Sequence, residues 1–412
     1  MVIWPQDVRA GWKSLRGFGE FAYGQRFHDS LTKREEFTML ETRLQLETGY
    51  YFDGESYLAE KRGVFNVRGD LLYDFYFSET AVDMRELALE FTPWSFMDVK
   101  VGRQILTWGT GDYLFVNDLF PKDYVSFFIG RDDEYLKEPS NAVKASMFFD
   151  AANVDLVAIP DFEPNAMPEG DRLSFFDSFQ NGIAGRESDR SIIEPARQFS
   201  NTEYAARIYR TIDSHEYALY YFRGFSKAPR SYKDQAAREL KYRRIDAYGA
   251  SVRGAFAGGI GNLEAGYYYS REDPDGTNRL IENSLAKYLA GYTKDLGNDL
   301  QVGFQYLFEQ RLDYSEYISN LLPEDYYWDE YRHVVTNRIT KQFNRQTVTL
   351  NVFTFFSPSD RDGYFRPTLA YDVTDNWKVT VGASIFWGPD DQTEFAQMKR
   401  NKNVFFRVRY SF

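Results

Sequence analysis

Charged side chains recur at every second position along this chain. Glu41, Arg43, Gln45 and Glu47 show the spacing, as do Arg68 and Asp70, and Arg407 and Arg409. In extended backbone, residues two apart share a face, so each set forms a line of fixed charge. The basic candidates for such a wall are Arg43, Arg68, Lys144, Arg207, Arg253, Arg366, Lys378, Arg407 and Arg409, with Lys100 or Arg103 added. The acidic candidates are Glu20, Glu41, Glu47, Asp70, Glu86, Glu90, Glu203, Glu264 and Asp372. A wall of this kind sorts ions and small solutes by charge. Acids crowd the early positions and bases the late ones, so a transverse field across the wall is expected, or else local pairing between neighbouring strands.

A segment from Gly109 to Pro139 (109–140 at its widest) has a different character. Asp112, Asn117, Asp118, Lys122 and Asp123, followed by Arg131, Asp132, Asp133 and Glu134, alternate with Phe115, Phe120, Tyr124, Phe127 and Phe128. It is too long for a simple connection and too aromatic to be disordered. Two placements fit: a constriction folded into the interior of the protein, or a lid packed on neighbouring loops. A second segment, Asp313 to Glu330, sets carboxylates including Glu324 and Asp325 beside Tyr314, Tyr317, Tyr326, Tyr327 and Trp328. It reads as an acidic surface loop, or as a place for a sugar or divalent cations.

Signals for bond-making chemistry are lacking. His28, His215 and His333 are far apart and join no nucleophile pattern. There are no cysteines, which excludes disulfides, thiolate metal sites and any CxxCH haem attachment. No enzyme activity and no cofactor are expected. The net charge of -12 excludes nucleic acid as a partner.

The elements that must position these charges are β-strands. Opposite the polar face of each alternating stretch lies an apolar one: Leu40, Thr42, Leu44, Leu46, Thr48 and Tyr50 in one, Trp377, Val379, Val381, Ala383, Ile385 and Trp387 in another. Strands are expected near 15–26, 38–52, 63–74, 84–93, 97–108, 141–150, 153–160, 202–211 and 215–224. The second half repeats the pattern near 246–256, 262–271, 285–294, 300–309, 333–342, 346–356, 363–373, 376–387 and 402–412. That makes eighteen, with sixteen as the alternative count. Connections alternate between short turns and longer polar loops.

A soluble β-sandwich or propeller would hide the apolar face, leaving polar residues outside. No stretch is long and apolar enough for a spanning helix, yet 18% of the residues are aromatic. Strands that meet lipid at every second residue, flanked by aromatic girdles, reconcile those facts. The expectation is an all-β fold: one transmembrane antiparallel up-and-down barrel over residues 1–412, with short periplasmic turns and long extracellular loops. It belongs in the bacterial outer membrane, and the absence of a basic and apolar leader before MVIWPQDV is read as removal of a signal peptide. The final strand places Phe406, Val408, Tyr410 and Phe412 on its apolar face and ends on an aromatic, as an assembly signal would. Outer-membrane lipid, lipopolysaccharide and the barrel assembly machinery are the partners such a chain requires.

Met84 to Tyr124, with Gly102, Arg103, Gln104, Trp108 and Gly109, the loop Asn117 to Asp123, and then Ile159 to Pro168, resembles outer-membrane barrels of the domain of unknown function 1302 family. More distantly it resembles the alginate-export porins. The resemblance implies a monomeric barrel with a loop in its lumen and no catalytic residue. The mixed wall departs from the basic lining that a polyanion exporter wants, and it predicts weak ion preference. Passive diffusion of small hydrophilic or amphipathic solutes is the expected role. The alternatives are a sheath for a periplasmic electron-transfer or secretion partner, and an outer-membrane hydrolase. Two local irregularities are also expected. Lys100, Arg103 and Gln104 cannot share a face without a bulge, and Pro367 removes a ladder donor.

Overall fold

The structure, a computed structural model, describes residues 10–412 except 29, 33–35, 53–62, 324 and 326. Glu324, Tyr326 and the leader-related reading of Met1 therefore fall outside the described residues.

Period-two alternation becomes antiparallel ladder throughout. The barrel strands are β1 (Arg16–Arg26), β2 (Phe37–Phe52), β3 (Gly63–Asp74), β4 (Glu79–Trp94), β5 (Met97–Ile105) and β6 (Pro139–Phe148). Next come β7 (Asn153–Ile159), β8 (Glu203–Ile212), β9 (His215–Phe225), β10 (Arg244–Phe256), β11 (Gly259–Ser270) and β12 (Leu285–Asp295). The circuit is completed by β13 (Leu300–Arg311), β14 (Tyr331–Phe343), β15 (Val348–Ser357), β16 (Asp362–Asp372), β17 (Trp377–Trp387) and β18 (Asn403–Ser411). Each pairs with the next in sequence, and β18 closes on β1 from Phe18 opposite Ser411 to Arg26 opposite Asn403. A two-residue piece, Gly11–Trp12, adds to the end of β2. The barrel thus has eighteen strands, and closure leaves no free sheet edge.

At the end of the barrel that holds Phe412, described turns are tight: Ser95–Phe96, Asp213–Ser214 and Ala257–Gly258 join adjacent strands. The opposite end carries the long connections, although 75–78 and 358–361 are tight turns there as well. The alternation in loop length expected from sequence therefore has two exceptions. Over the long-loop end lie a hairpin of Phe175–Asp177 with Gly182–Ala184 and a small sheet of Ser191–Ile193, Ser231–Asp234 and Glu239–Lys241.

The apolar faces point outward. Leu71, Leu219, Tyr248, Leu263, Phe304 and Val381 are exposed large hydrophobics, whereas Glu41, Asp70, Glu264 and Arg407 on the alternate faces are buried. Aromatics gather where a girdle belongs at the tight-turn end: Trp94 stacks on Phe96, which stacks on Phe149, and Trp377 contacts Tyr410. The buried apolar clusters lie inside the barrel, where the inner residues of the wall meet the loop between β5 and β6.

Of the two expected irregularities the one at Pro367 occurs, whereas the bulge that would put Lys100, Arg103 and Gln104 on one face does not: β5 pairs with β6 without a shift from Met97 to Ile105. In β4 the register shifts between Arg68 and Gly69 of its partner, so that Arg85 is an extra residue and turns inward beside Glu86. Between β16 and β17 the ladder is interrupted from Phe365 to Thr368, at Pro367, without a change of register. The expected start of the fourth strand at 84 moves to Glu79, and the fifth strand ends at Ile105 rather than near 108.

Candidate functional site: a loop bound inside the barrel

The connection from Leu106 to Glu138 folds into the lumen, and the wall is shaped to receive it. Its first half lies against β10 and β11. Gly249 supplies the room: a Cβ there would sit 1.7 Å from the side-chain oxygen of Asn117. Glu264 on the facing strand gathers the loop's donors. One carboxylate oxygen accepts from the backbone N–H of Thr110, the Thr110 hydroxyl at 2.7 Å and the Gly111 N–H at 2.8 Å. The other accepts from the Asn117 N–H at 3.2 Å and its Nδ2 at 2.8 Å. A buried carboxylate that meets five donors satisfies backbone groups the loop cannot satisfy itself.

The second half is a short helix, α1 (Tyr124–Ile129), with a charged tail. Asp123 caps it by accepting from the Ser126 N–H at 2.7 Å, and Gly130 ends it in the left-handed region at φ +91°. Phe127 and Phe128 pack edge-on to Tyr364, and Phe128 meets Phe386 in the same way. Ile129 is fully buried in the same cluster with Phe353, Phe355 and Phe405.

After the helix, consecutive charges pair with one arc of the wall, the strands on either side of the β18–β1 seam. Arg131 reaches Glu41 with Nη2 to Oε2 at 2.7 Å, Asp132 meets Arg407 at 2.9 Å, Asp133 meets Arg366 at 2.7 Å and Glu134 meets Arg409 at 3.3 Å. Tyr135 donates to Asp70 at 2.7 Å, and the same carboxylate takes Arg43 at 2.5 Å. Arg85 stacks on the Tyr135 ring and donates to the carbonyls of Glu134 and Lys137. Burial opposes ionisation of Asp132, but Arg407 and Arg409 outweigh it and hold its carboxyl down at about 2. Burial would likewise lower the guanidinium of Arg131; Glu41 reverses the balance and raises it. Where the loop rejoins the wall, burial and then Asp123 push the Glu138 carboxyl up to about 7, with Arg85 opposing and Asp83 adding to the rise.

The residues singled out from sequence fall into groups. Arg43, Arg366, Arg407 and Arg409 converge on the loop. Asp112 pairs with Arg338 at 2.9 Å, Asn117 with Glu264, and Asp118 with Lys122 at 2.9 Å inside the loop itself; Asp123 serves as the helix cap. Burial lowers the Lys122 ammonium, with Asp118 opposing. Other wall charges pair locally: Lys100 with Glu86 at 2.6 Å, Arg207 with Glu216 at 2.5 Å and Lys378 with Asp372 at 3.3 Å. Arg68 lies opposite Glu47 and Glu86, Glu90 lies opposite Lys100, and Arg253 is exposed near the tight-turn end. Arg103 does not join them. Register places it on the face opposite Lys100 and Gln104, where it donates to the Met84 carbonyl at 2.7 Å and pairs with Glu163 at 3.3 Å. The late basic cluster meets carboxylates of the loop and Glu20, so its charge is largely answered within the lumen. Phe406 and Tyr410 point outward, and Val408 lies on the same face; Phe412 follows β18, its backbone paired with Gly17.

Between the loop and the long-loop end lies a cavity of about 420 Å³. Its lining holds nine Lys and Arg against four Asp and Glu, set among aromatic rings. Arg230, Arg243, Arg311 and Arg332 belong to it, and sequence reasoning missed them. They stand in loops or at strand ends, where no alternating partner marks them. Arg85 was missed because the bulge hides its face. The histidines do not converge; His333 accepts or donates at 2.7 Å to the Tyr306 hydroxyl. Among the described residues no cluster of three potential ligands is arranged for a metal.

No family model matches the chain, so the resemblance to the domain of unknown function 1302 family gains no support, and no curated protein matches it either. Solved structures do share its architecture. OccK11 (OpdR) of Pseudomonas aeruginosa superposes with a TM-score of 0.55 at 10% identity, over 97% of this chain and 96% of that one. A mutant porin of Rhodopseudomonas blastica gives 0.41 at 13% identity, over 97% and 99%. The chain is built as a closed eighteen-strand antiparallel barrel of the kind found in porins.

Proposed function

We propose that this protein is an outer-membrane channel for passive diffusion of small hydrophilic or amphipathic solutes, with the Leu106–Glu138 loop as its constriction. One observation carries the reading: the loop lies inside a barrel with an apolar exterior and is held by charges on several sides of the wall. An unplugged lumen of this strand number is wide and aqueous. A loop fixed by ion pairs narrows it to a defined, charged passage. Lipid, lipopolysaccharide and the barrel assembly machinery are the partners the placement calls for. The sheath reading is disfavoured because the chain's own loop takes the space a partner would need.

The test is single-channel recording of the purified full chain in a planar bilayer. Discrete conductance steps in KCl are expected, with larger steps once the loop is detached. A correctly closed barrel that conducts no current would overturn the proposal.

A further inference from the structure

We infer that a patch on the outer wall, at the long-loop end of β8 to β11, binds the phosphate of a phosphorylated glycolipid in the outer leaflet of the membrane. The inference rests on the channel reading, which sets this face against lipid and turns the long loops outward. Below the patch runs a belt of rings. Tyr221 lies opposite Tyr248, and Tyr248 opposite Tyr267, with ring centroids 5.3 Å and 6.4 Å apart. Tyr248 and Tyr267 are exposed, while Tyr220, Ala247 and Tyr268 at the alternate positions are buried inside the barrel. Tyrosines collect where hydrocarbon gives way to headgroups.

One step nearer the long loops, the next outward row holds Tyr204, Arg223, Asp246 and Tyr269. Two residues of strand span about 7 Å, so Arg223 stands at headgroup depth above the belt. Arg271, just past the end of β11, approaches Asp246 from the other side. Nε of Arg223 is 3.9 Å from one oxygen of Asp246, and Nε of Arg271 is 3.5 Å from the other. Both contacts are longer than a charge-assisted hydrogen bond, and neither guanidinium donates a hydrogen bond among the described residues. Arg244, on the same face of β10, donates from Nη2 to Asn201 at 2.8 Å and pairs with no acid among the described residues.

Three guanidiniums against one carboxylate leave a surplus of positive charge at the edge of an apolar phase. A phosphate monoester carries a charge of about −1.5 to −2 at neutral pH and three acceptor oxygens, which matches both the surplus and the free forks of Arg223 and Arg271. A phosphodiester brings less charge and fewer free oxygens. The lipid body adds what a free ion lacks, because Leu219 and Leu263 stand exposed below the belt, where acyl chains attached to that headgroup would lie.

The experiment uses the detergent-solubilised full chain and counts retained lipid by native mass spectrometry. Phosphorylated lipid A is the probe, with its dephosphorylated form, phosphatidylglycerol and inorganic phosphate as controls. The probe should stay bound, and each control should bind about tenfold more weakly or less. Replacing Arg223 and Arg271 together with Gln should weaken the probe about tenfold. Arg210→Gln, on the same face near the tight-turn end, should leave it unchanged. Asp246→Asn enlarges the positive surplus and should tighten it. Folding of each variant is read independently from gel mobility before and after boiling. Equal retention of either control lipid, inorganic phosphate binding as tightly as the probe, indifference to the double substitution, or an Asp246→Asn variant that binds no tighter would each overturn the inference. Bilayer conductance in KCl is measured on the same preparations. Unselective lipid binding with conductance intact refutes the patch alone, whereas absent conductance refutes the channel.

Discussion

Glu264→Gln should release one end of the internal loop while the other stays in place. The carboxylate accepts five hydrogen bonds from Thr110, Gly111 and Asn117. A glutamine in the same position keeps its oxygen for three of them and turns its NH2 toward the two donors of Asn117, so those contacts become repulsive. Hydrogen bonds to a charged group contribute about 1.5–3 kcal/mol each, and the pair is not additive, so a local cost of about 3 kcal/mol follows. That corresponds to roughly a hundredfold increase in opening of this segment. Hydrogen exchange of the detergent-solubilised barrel reads it directly: amides from Gly109 to Asp118 should exchange about a hundredfold faster. Those of α1 should be unchanged, because the Arg131, Asp132 and Asp133 ion pairs remain. Unchanged exchange at Gly111 and Asn117 would refute the reasoning, and so would equal acceleration through α1, which would mean the two halves of the loop are not separately anchored.

Three further outcomes follow from the same geometry. Replacing Arg407 and Arg409 together with Gln strips Asp132 of the cations that hold its carboxyl down, so the reversal potential in a KCl gradient should move toward cation selectivity. Breaking buried pairs from one side costs about 3–5 kcal/mol, so the folded gel band should also be lost at a lower temperature. Glu138 has a raised carboxyl pKa, so its proton is bound more tightly when the loop is docked; the stability it contributes is fully present below about pH 4.5 and is lost as pH rises through about 7. Conductance noise should therefore grow between those values, and Glu138→Gln should flatten the profile; a variant that keeps the wild-type profile would contradict this. Gly130→Ala should cost more than about 1 kcal/mol, since φ is +91° and the new Cβ would meet the Phe405 ring at 2.2 Å. Adding Phe405→Leu should recover part of the lost thermal resistance, because it relieves the contact but not the backbone.

Strands were legible because two-residue alternation survives wherever one face meets an apolar phase, as along Trp377 to Trp387. That the segment from Gly109 to Pro139 is an ordered, packed loop could be read from Phe120, Phe127 and Phe128 mixed with carboxylates, but its place inside the barrel rather than over it could not. What could not be read was which charges meet. Asp132 and Arg407 are far apart in sequence, and nothing in either neighbourhood names the other. The field expected from Arg366, Arg407 and Arg409 is therefore answered by a loop whose own register is irregular. The vestibule arginines escaped for a related reason: Arg230 and Arg243 lie in a loop, and Arg311 ends its strand, so none sits within a periodic face. Arg85 escaped because a single extra residue inverts the pattern on which the reading depended.

The loop follows the fifth strand, but Asp133 waits for Arg366 in the sixteenth, and Asp132 and Glu134 wait for Arg407 and Arg409 in the eighteenth. If strands are laid down in order, three carboxylates stay without counter-charges through most of assembly. The first half of the loop and Arg131 have their anchors earlier, in Glu264 and Glu41, but the charged tail gains its last two only when the final strand arrives. Sealing the seam and narrowing the lumen then become a single late event of high sequence separation, slow by topology. A barrel stalled one strand short would leave Asp132 and Glu134 without their arginines inside the lumen, so the strand that seals the wall also completes the tether.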